Sequence, residues 1–223
     1  MTLSLAAVQP AAAKVIEQSA DGFVTRDSLV VKATPYEAWL ALLAPGKWWS
    51  DSHSWSGDAD NMYISAQAGG CFCELLPIPA KAPEGVRRGS ALHMMVLQAN
   101  PPQVLRMRGG LGPLQGEPVD GVLTITITPE GEGATILFEY VVGGYMRFKP
   151  AEISAAVDGV MSQQLRGLGN LLGGAGPPSD DKRATDATGS AAQAVGAKPL
   201  APAAKKDRSV DEAFETLPDD QAE

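Results

Sequence analysis

Residues 121–142, GVLTITITPEGEGATILFEYVV, followed at 152–172 by EISAAVDGVMSQQLRGLGNLL, decide the fold. In the first stretch Leu123, Ile125 and Ile127 alternate with Thr124, Thr126 and Thr128. Beyond a turn at 130–133, Ile136, Phe138, Tyr140 and Val142 take up the alternation, with Glu139 set against them. A period of two sends one set to a buried sheet face and the other to water, which predicts a hairpin packed on one side. The second stretch changes period. Ile153, Val157, Val160, Gln164, Leu168 and Leu171 form one helical stripe, widened by Met161, Leu165 and Leu172. Gly173-Gly174 supplies the stop. A half-buried sheet followed by one long amphipathic helix buries both apolar faces by laying the helix on the sheet, so the chain is read as an α+β domain.

The segments upstream fit this frame. Phe23–Ala33 is rich in β-formers, with Leu29, Val31 and Ala33 on one face. Thr34-Pro35 offers an N-cap and a first-turn proline for a short helix over 36–43, with Trp39, Leu40 and Leu43 at helical spacing. Pro45-Gly46 ends it, and 47–61 (KWWSDSHSWSGDADN) is a loop by its turn residues. Strands are expected at 62–65, 71–76, 90–99 and 104–109, with a Pro- and charge-rich connection over 77–89 and a rigid glycine-rich loop over 109–118. The order is thus strand, short helix, six strands, long helix. A sheet closed by a single terminal helix curls around it, and the space between tends to become a pocket.

Composition bounds the rest. The chain has 223 residues and a net charge of −8, with a pI near 4.8. No basic stripe occurs, so nucleic acid is not an expected partner, and no run reaches the roughly 18 apolar residues of a membrane span. From Gly173 onward Ala, Gly, Pro, Asp and Lys replace the large apolar residues, so 173–223 reads as a disordered tail. Within it Ser209–Leu217 has a capping box and a small apolar stripe, and is a possible docking segment for a protein partner. Residues 1–22 read as a leader. Either it is a frayed cytoplasmic extension or the end of an export signal whose start lies upstream, which would make the protein periplasmic.

Several constellations could carry chemistry. Trp48, Trp49 and Trp55 cluster in one loop, and each can bury roughly 150–250 Å². On extended backbone neighbours face opposite ways, so Trp48 and Trp49 are not both expected in the core. His53 lies among Asp51, Asp58 and Asp60, but the spacing fits neither an EF-hand nor a zinc motif, and no metal site is expected. His93 sits mid-strand between apolar neighbours, where periodicity does not assign its direction. Turned inward, it would be the best general acid or base, with Tyr140 the other candidate. An outward or structural His93 is the expected case. Cys71 and Cys73 share one strand face and read as two small buried hydrophobes, an exported location being what would favour a disulfide. Arg106 and Arg108 alternate with Leu105 and Met107 and are expected outward.

The segments VKATPYEAWLAL, KWW, GGCFCE, GPLQG, LTITITPEGEGATILFEY and AVDGVMSQQLRGLGNLL, in that order, resemble the SRPBCC (START-like, helix-grip) superfamily. The likeness is to its bacterial polyketide-cyclase-like and heat-shock-chaperone-ATPase-activator-like members, and it spans 23–172. The resemblance implies a seven-stranded antiparallel sheet curled around the C-terminal helix, with a cavity between them. It does not choose a function, since such folds host many.

Alternation and resemblance together predict binding of a small, mostly apolar or aromatic molecule, with no cofactor. The expected lining is Leu105, Met107, Leu123, Ile125, Phe138, Tyr140, Val157, Val160 and Met161, with Trp48 or Trp49 at the entrance and Tyr145 nearby. A cyclase- or hydrolase-type enzyme using the same cavity, and a chaperone-linked interaction module, are the alternatives.

Overall fold

A computed structural model describes residues 14–176, as one antiparallel sheet and two α-helices. Strands β1 (Lys14–Gln18) and β2 (Gly22–Val31) lead into α1 (Pro35–Leu42). After the tryptophan loop come β3 (Met62–Ile64), β4 (Cys71–Leu76), β5 (Gly89–Asn100), β6 (Val104–Arg108), β7 (Val119–Glu130) and β8 (Gly133–Gly144). The long helix α2 (Pro150–Leu171) and a short β9 (Gly174–Gly176) follow. The sheet runs β1-β2-β8-β7-β6-β5-β4-β3, with β9 also on β2. This is the helix-grip arrangement: β2 to β8 are the seven expected strands, and α2 lies in their grip.

Two pieces extend it. β1 pairs with residues 23–26 of β2, and β9 pairs with Val30 and Val31. The sheet therefore takes in Lys14–Gln18 ahead of residue 23 and Gly174–Gly176 beyond residue 172. Neither strand had a readable pattern, one being five residues long and the other Gly-Ala-Gly. The remainder of the leader, the remainder of the tail and the segment Ser209–Leu217 lie outside the described residues.

Local chemistry explains both helices. Thr34 Oγ1 accepts the Glu37 N–H while the Glu37 carboxylate accepts the Thr34 N–H, a reciprocal capping box that starts α1. Its buried face is Ala38, Trp39 and Leu42 rather than the expected Trp39, Leu40 and Leu43, and Leu40 is exposed. Pro150 opens α2, and Gly173, with φ of +68°, ends it in the left-handed conformation that a side chain would disfavour.

The core fills the concave sheet face. Leu105, Met107, Leu123, Ile125, Ile136, Phe138 and Tyr140 are buried there beneath α1 and α2, which contribute Trp39, Leu42, Met161, Leu165 and Leu168. α1 packs on β7 and β8, so the centre of the groove is occupied by protein. Arg106 and Arg108 take the outer face, on Gln98 and Thr124 and on Asp120 respectively. Cys71 and Cys73 also share that outer face, opposite the inward Phe72 and Glu74, and are joined by a disulfide with Cα atoms 5.5 Å apart. That corrects their reading as separate buried hydrophobes.

α2 meets the tryptophan loop at a bare backbone contact. A Cβ on Gly167 would lie 2.2 Å from the Trp48 carbonyl oxygen. Alanine is the better helix former by about 1 kcal/mol, whereas overpacking costs about 1–3 kcal/mol. Gly167→Ala is therefore expected to lower the urea midpoint. A midpoint that rises would mean that helix and loop do not touch there.

Candidate functional site

The loop after α1 turns through a short 3₁₀ segment, Pro45–Lys47, and Trp48 leaves it with φ −141° and ψ −18°. The backbone at Trp48 is not extended, so the expectation that Trp48 and Trp49 face opposite ways fails and both are buried. Trp48 packs edge-on against Trp49 and Phe138, with ring centroids 5.6 and 6.3 Å away. Trp49 meets Phe72 at 5.1 Å, and Phe72 lies 5.0 Å from the His93 ring. An aromatic chain thus runs from the core to the cavity wall. Both indole N–H groups are satisfied, Trp48 donating to the Ala41 carbonyl and Trp49 to that of His53.

The cavity opens at the end of this chain. It measures about 310 Å³ and lies between the tryptophan loop, the first half of α2 and the glycine-rich loop. Its walls are Trp49, Ser52, His53, Ser54, Trp55, His93, Leu111, Gly112, Pro113, Ile153, Ala156, Val157, Val160 and Met161. Of the residues expected to line it, Trp49, Val157, Val160 and Met161 meet here. The others do not. Trp48, Leu105, Met107, Leu123, Ile125, Phe138 and Tyr140 belong to the closed core, because α1 and Trp48 fill the groove above them. Tyr145 is exposed on the connection before α2. The glycine-rich loop, expected as a rigid loop at the cavity rim, contributes Leu111, Gly112 and Pro113, whereas Trp55 and His53 were not expected in the lining. The turn-rich composition of both loops was the available signal, but it does not say which way a loop folds.

Of the two expected cases for His93, outward or structural, the outward one is corrected: the ring is buried in the cavity wall. Across β4 and β5, Phe72 pairs with Met94 and Cys73 with Leu92, so His93 is the extra residue of a β-bulge. A bulge turns its residue off the alternating pattern, and here it lets His93 and Met94 both face inward. Opposite, Glu74 has no exposed surface. Its carboxylate accepts the backbone N–H groups of Trp55 and Ser56 and, at 2.9 Å, the Nε2–H of His93. Burial pushes the Glu74 carboxyl up, but the hydrogen bonds from Ser56, Trp55 and His93 outweigh it and hold the group below its usual range. Burial pushes His93 down, opposed by the bond to Glu74 and its charge, so the ring is neutral at pH 7. Its other nitrogen faces Gln115. The Gln115 Oε1 accepts the Trp55 indole N–H, which leaves the amide nitrogen to face His93 Nδ1 at 3.4 Å. Both His93 nitrogens are therefore engaged by protein groups.

The other loops are braced as firmly. The Tyr140 hydroxyl donates to the Gly109 carbonyl and accepts the Leu111 N–H, at 2.9 and 3.1 Å, while burial drives its pKa up. Tyr140 is thus a latch for the glycine-rich loop, with no hydroxyl proton to spare. Glu117 accepts the backbone N–H and the guanidinium of Arg147, whose bonds hold its carboxyl below the usual range. Asp51 and Asp58 accept the N–H groups of Ala59 and Asp60 within their own loop. Among the described residues, no three His, Cys, Asp or Glu side chains are grouped to hold a metal, and no helix is long and apolar enough to cross a membrane.

No protein-family model matches the chain. No curated protein matches it either. Solved structures resemble it at low identity. A Rhodobacter sphaeroides protein of structural-genomics origin is 20% identical over 72% of this chain and 97% of its own, with a TM-score of 0.43. CalU16 from Micromonospora echinospora is 19% identical over 82% and 93%, with a TM-score of 0.43. The Aha1 dimer from Colwellia psychrerythraea is 12% identical over 67% and 95%, with a TM-score of 0.44.

The Glu74–His93 pair has a defined pH signature. Above pH 6.5, the ordinary value for histidine, His93 is neutral folded or unfolded. Below it the unfolded chain takes up a proton that the folded chain resists, so stability is lost as pH falls. Below 4.5 the ionised Glu74 adds a loss of the same sign. Between those limits, as pH falls, the thermal midpoint of the wild type is expected to drop more steeply than that of His93→Gln. Parallel slopes would show that His93 is not held neutral.

Proposed function

We propose that this domain binds a small, mostly apolar aromatic molecule, of one or two rings, in the cleft between the tryptophan loop and α2. What carries the reading is the wall chemistry. Two indoles, Trp49 and Trp55, face the apolar side chains of Ile153, Val157, Val160 and Met161 across about 310 Å³. That volume lies at the lower end of the roughly 300–1,000 Å³ of small-molecule sites, which pair apolar walls with a few placed polar groups. Trp55 is more than half exposed, a large apolar surface left open at the rim. The helix-grip fold is of a ligand-binding kind, which agrees with this reading without naming a ligand.

The enzyme alternative has less support. A general base needs a lone pair within reach of substrate, yet His93 spends both nitrogens on Glu74 and Gln115, and Tyr140 spends its hydroxyl on the glycine-rich loop. The interaction-module alternative calls for a protein partner on the outer sheet face, where Tyr63, Leu92, Met95 and Leu97 are exposed, or on Ser209–Leu217, which lies outside the described residues.

Two measurements test the binding reading. Native mass spectrometry of gently purified protein, with organic extraction, is expected to find a co-purified small molecule or an empty site that 2-acetylnaphthalene fills, with a change in tryptophan fluorescence. Val160 is half-buried in the wall, so Val160→Trp fills the cleft from its rim. It is expected to weaken probe binding about tenfold or more, near 1.4 kcal/mol, with the fold retained by circular dichroism. A wild-type protein that carries nothing and takes up no probe would remove the proposal.

A further inference from the structure

We infer that His53 is the polar anchor of this cleft, and that through its Nε2–H it selects aromatic ligands bearing a hydrogen-bond acceptor such as a carbonyl oxygen. The inference rests on the binding reading above and adds the class of molecule. It begins with Gln164, the one polar residue of the α2 apolar stripe, which is fully buried. Its Oε1 accepts the Ser50 backbone N–H at 2.8 Å, so its amide nitrogen is the end that faces His53 Nδ1, at 2.9 Å. An amide nitrogen only donates, so Nδ1 must accept, and the ring proton of the neutral imidazole sits on Nε2. A glutamine at the helix–sheet core thereby sets the tautomer of a histidine on the cavity wall.

The remaining lining side chains supply the second half of the argument, because their N–H donors are spent. The Trp49 indole donates to the His53 carbonyl, and that of Trp55 to Gln115. The His93 Nε2–H goes to Glu74. The hydroxyl of Ser54 donates to the Asp51 carbonyl, and that of Ser52 is paired with Ser50. Among the described lining side chains, the His53 Nε2–H is the N–H donor without a protein partner. A cleft with apolar walls and one available side-chain N–H among the described residues favours ligands that meet it. A matched acceptor gains it, while an isosteric hydrocarbon leaves the donor unpaired. Uncharged acceptors suit it best, since no cationic side chain lines the cavity to offset a desolvated anion.

The test compares 2-acetylnaphthalene with 2-isopropenylnaphthalene, which replaces the carbonyl oxygen by a methylene of similar shape. Wild-type protein is expected to bind the ketone about threefold to tenfold more tightly. His53→Phe keeps a ring and removes the donor, and the ratio is expected to fall to about one. A second readout needs no variant. The chain has two histidines, so ¹⁵N–¹H two-bond correlation spectra resolve both rings. His53 is expected as the Nε2–H tautomer, with its Nε2 resonance shifting on addition of the ketone and not of the hydrocarbon. A ratio unchanged in His53→Phe, or a proton on Nδ1, overturns the anchor while leaving the cleft as a binding site. Failure of both naphthalenes to bind overturns the cleft itself, and the anchor with it.

Discussion

Glu74 is the constraint on which the site depends. A carboxylate without exposed surface is tolerated only when hydrogen bonds replace its water. Three donors do so, and they come from different places: the backbone at Trp55, the backbone at Ser56, and the ring of His93. The charge therefore ties the tryptophan loop, which has few apolar residues of its own, to the wall of the sheet. Removing one of these donors leaves a buried carboxylate short of a hydrogen bond, at a cost of about 1–3 kcal/mol, which holds the loop in place. The position of Trp55 at the rim follows, and with it the bond from its indole to Gln115 that orients the far side of His93.

The same economy runs through the other rim elements. Tyr140 reaches out of the core to hold both ends of the Gly109–Leu111 turn. The backbone permits this because Gly121 lies beside the phenol, where a Cβ would sit 2.5 Å from its oxygen. Arg147 fastens the segment before α2 to Glu117 at the end of the glycine-rich loop. Gln164 joins α2 to Ser50 and His53. Tyr140 and Gln164 thus satisfy polar groups of loops that could not bury them otherwise, while Arg147 and Glu117 join two loops to each other. The cleft is shaped by loops, but each loop hangs from the rigid scaffold by a named hydrogen bond. A preorganised wall of this kind spares a ligand the entropy of ordering it.

A buried Glu–His pair beside a cavity invites a catalytic reading, because perturbed titrating groups gather at functional sites. The geometry here supports a structural role. The pair is closed on itself, with the imidazole nitrogens facing Glu74 and Gln115. His53 presents the opposite case. It is held from behind by a single bond, and its second nitrogen has no hydrogen-bond partner among the described residues.

Much of the scaffold was legible in the chain because it obeys periods. The alternation over β7 and β8, the stripe on α2, the Thr34-Pro35 start and the Gly173 stop are local patterns with one physical solution each, so element order and a sheet covered by one terminal helix could be read from them, while the helix-grip arrangement came from the resemblance. The site was legible only in part, as the apolar face of α2 and the presence of Trp49. What tertiary structure alone decided is what breaks a period or joins distant residues. A bulge, invisible in a run of apolar neighbours, turned His93 inward. A 3₁₀ turn sent both Trp48 and Trp49 into the protein. α1 filled the groove that alternation alone left open, and so moved the cavity from the sheet centre to the loop rim. Backbone direction at an irregular residue, and hydrogen bonds between residues 19 to 114 positions apart, are set by packing across the whole domain. No local window of sequence contains that information.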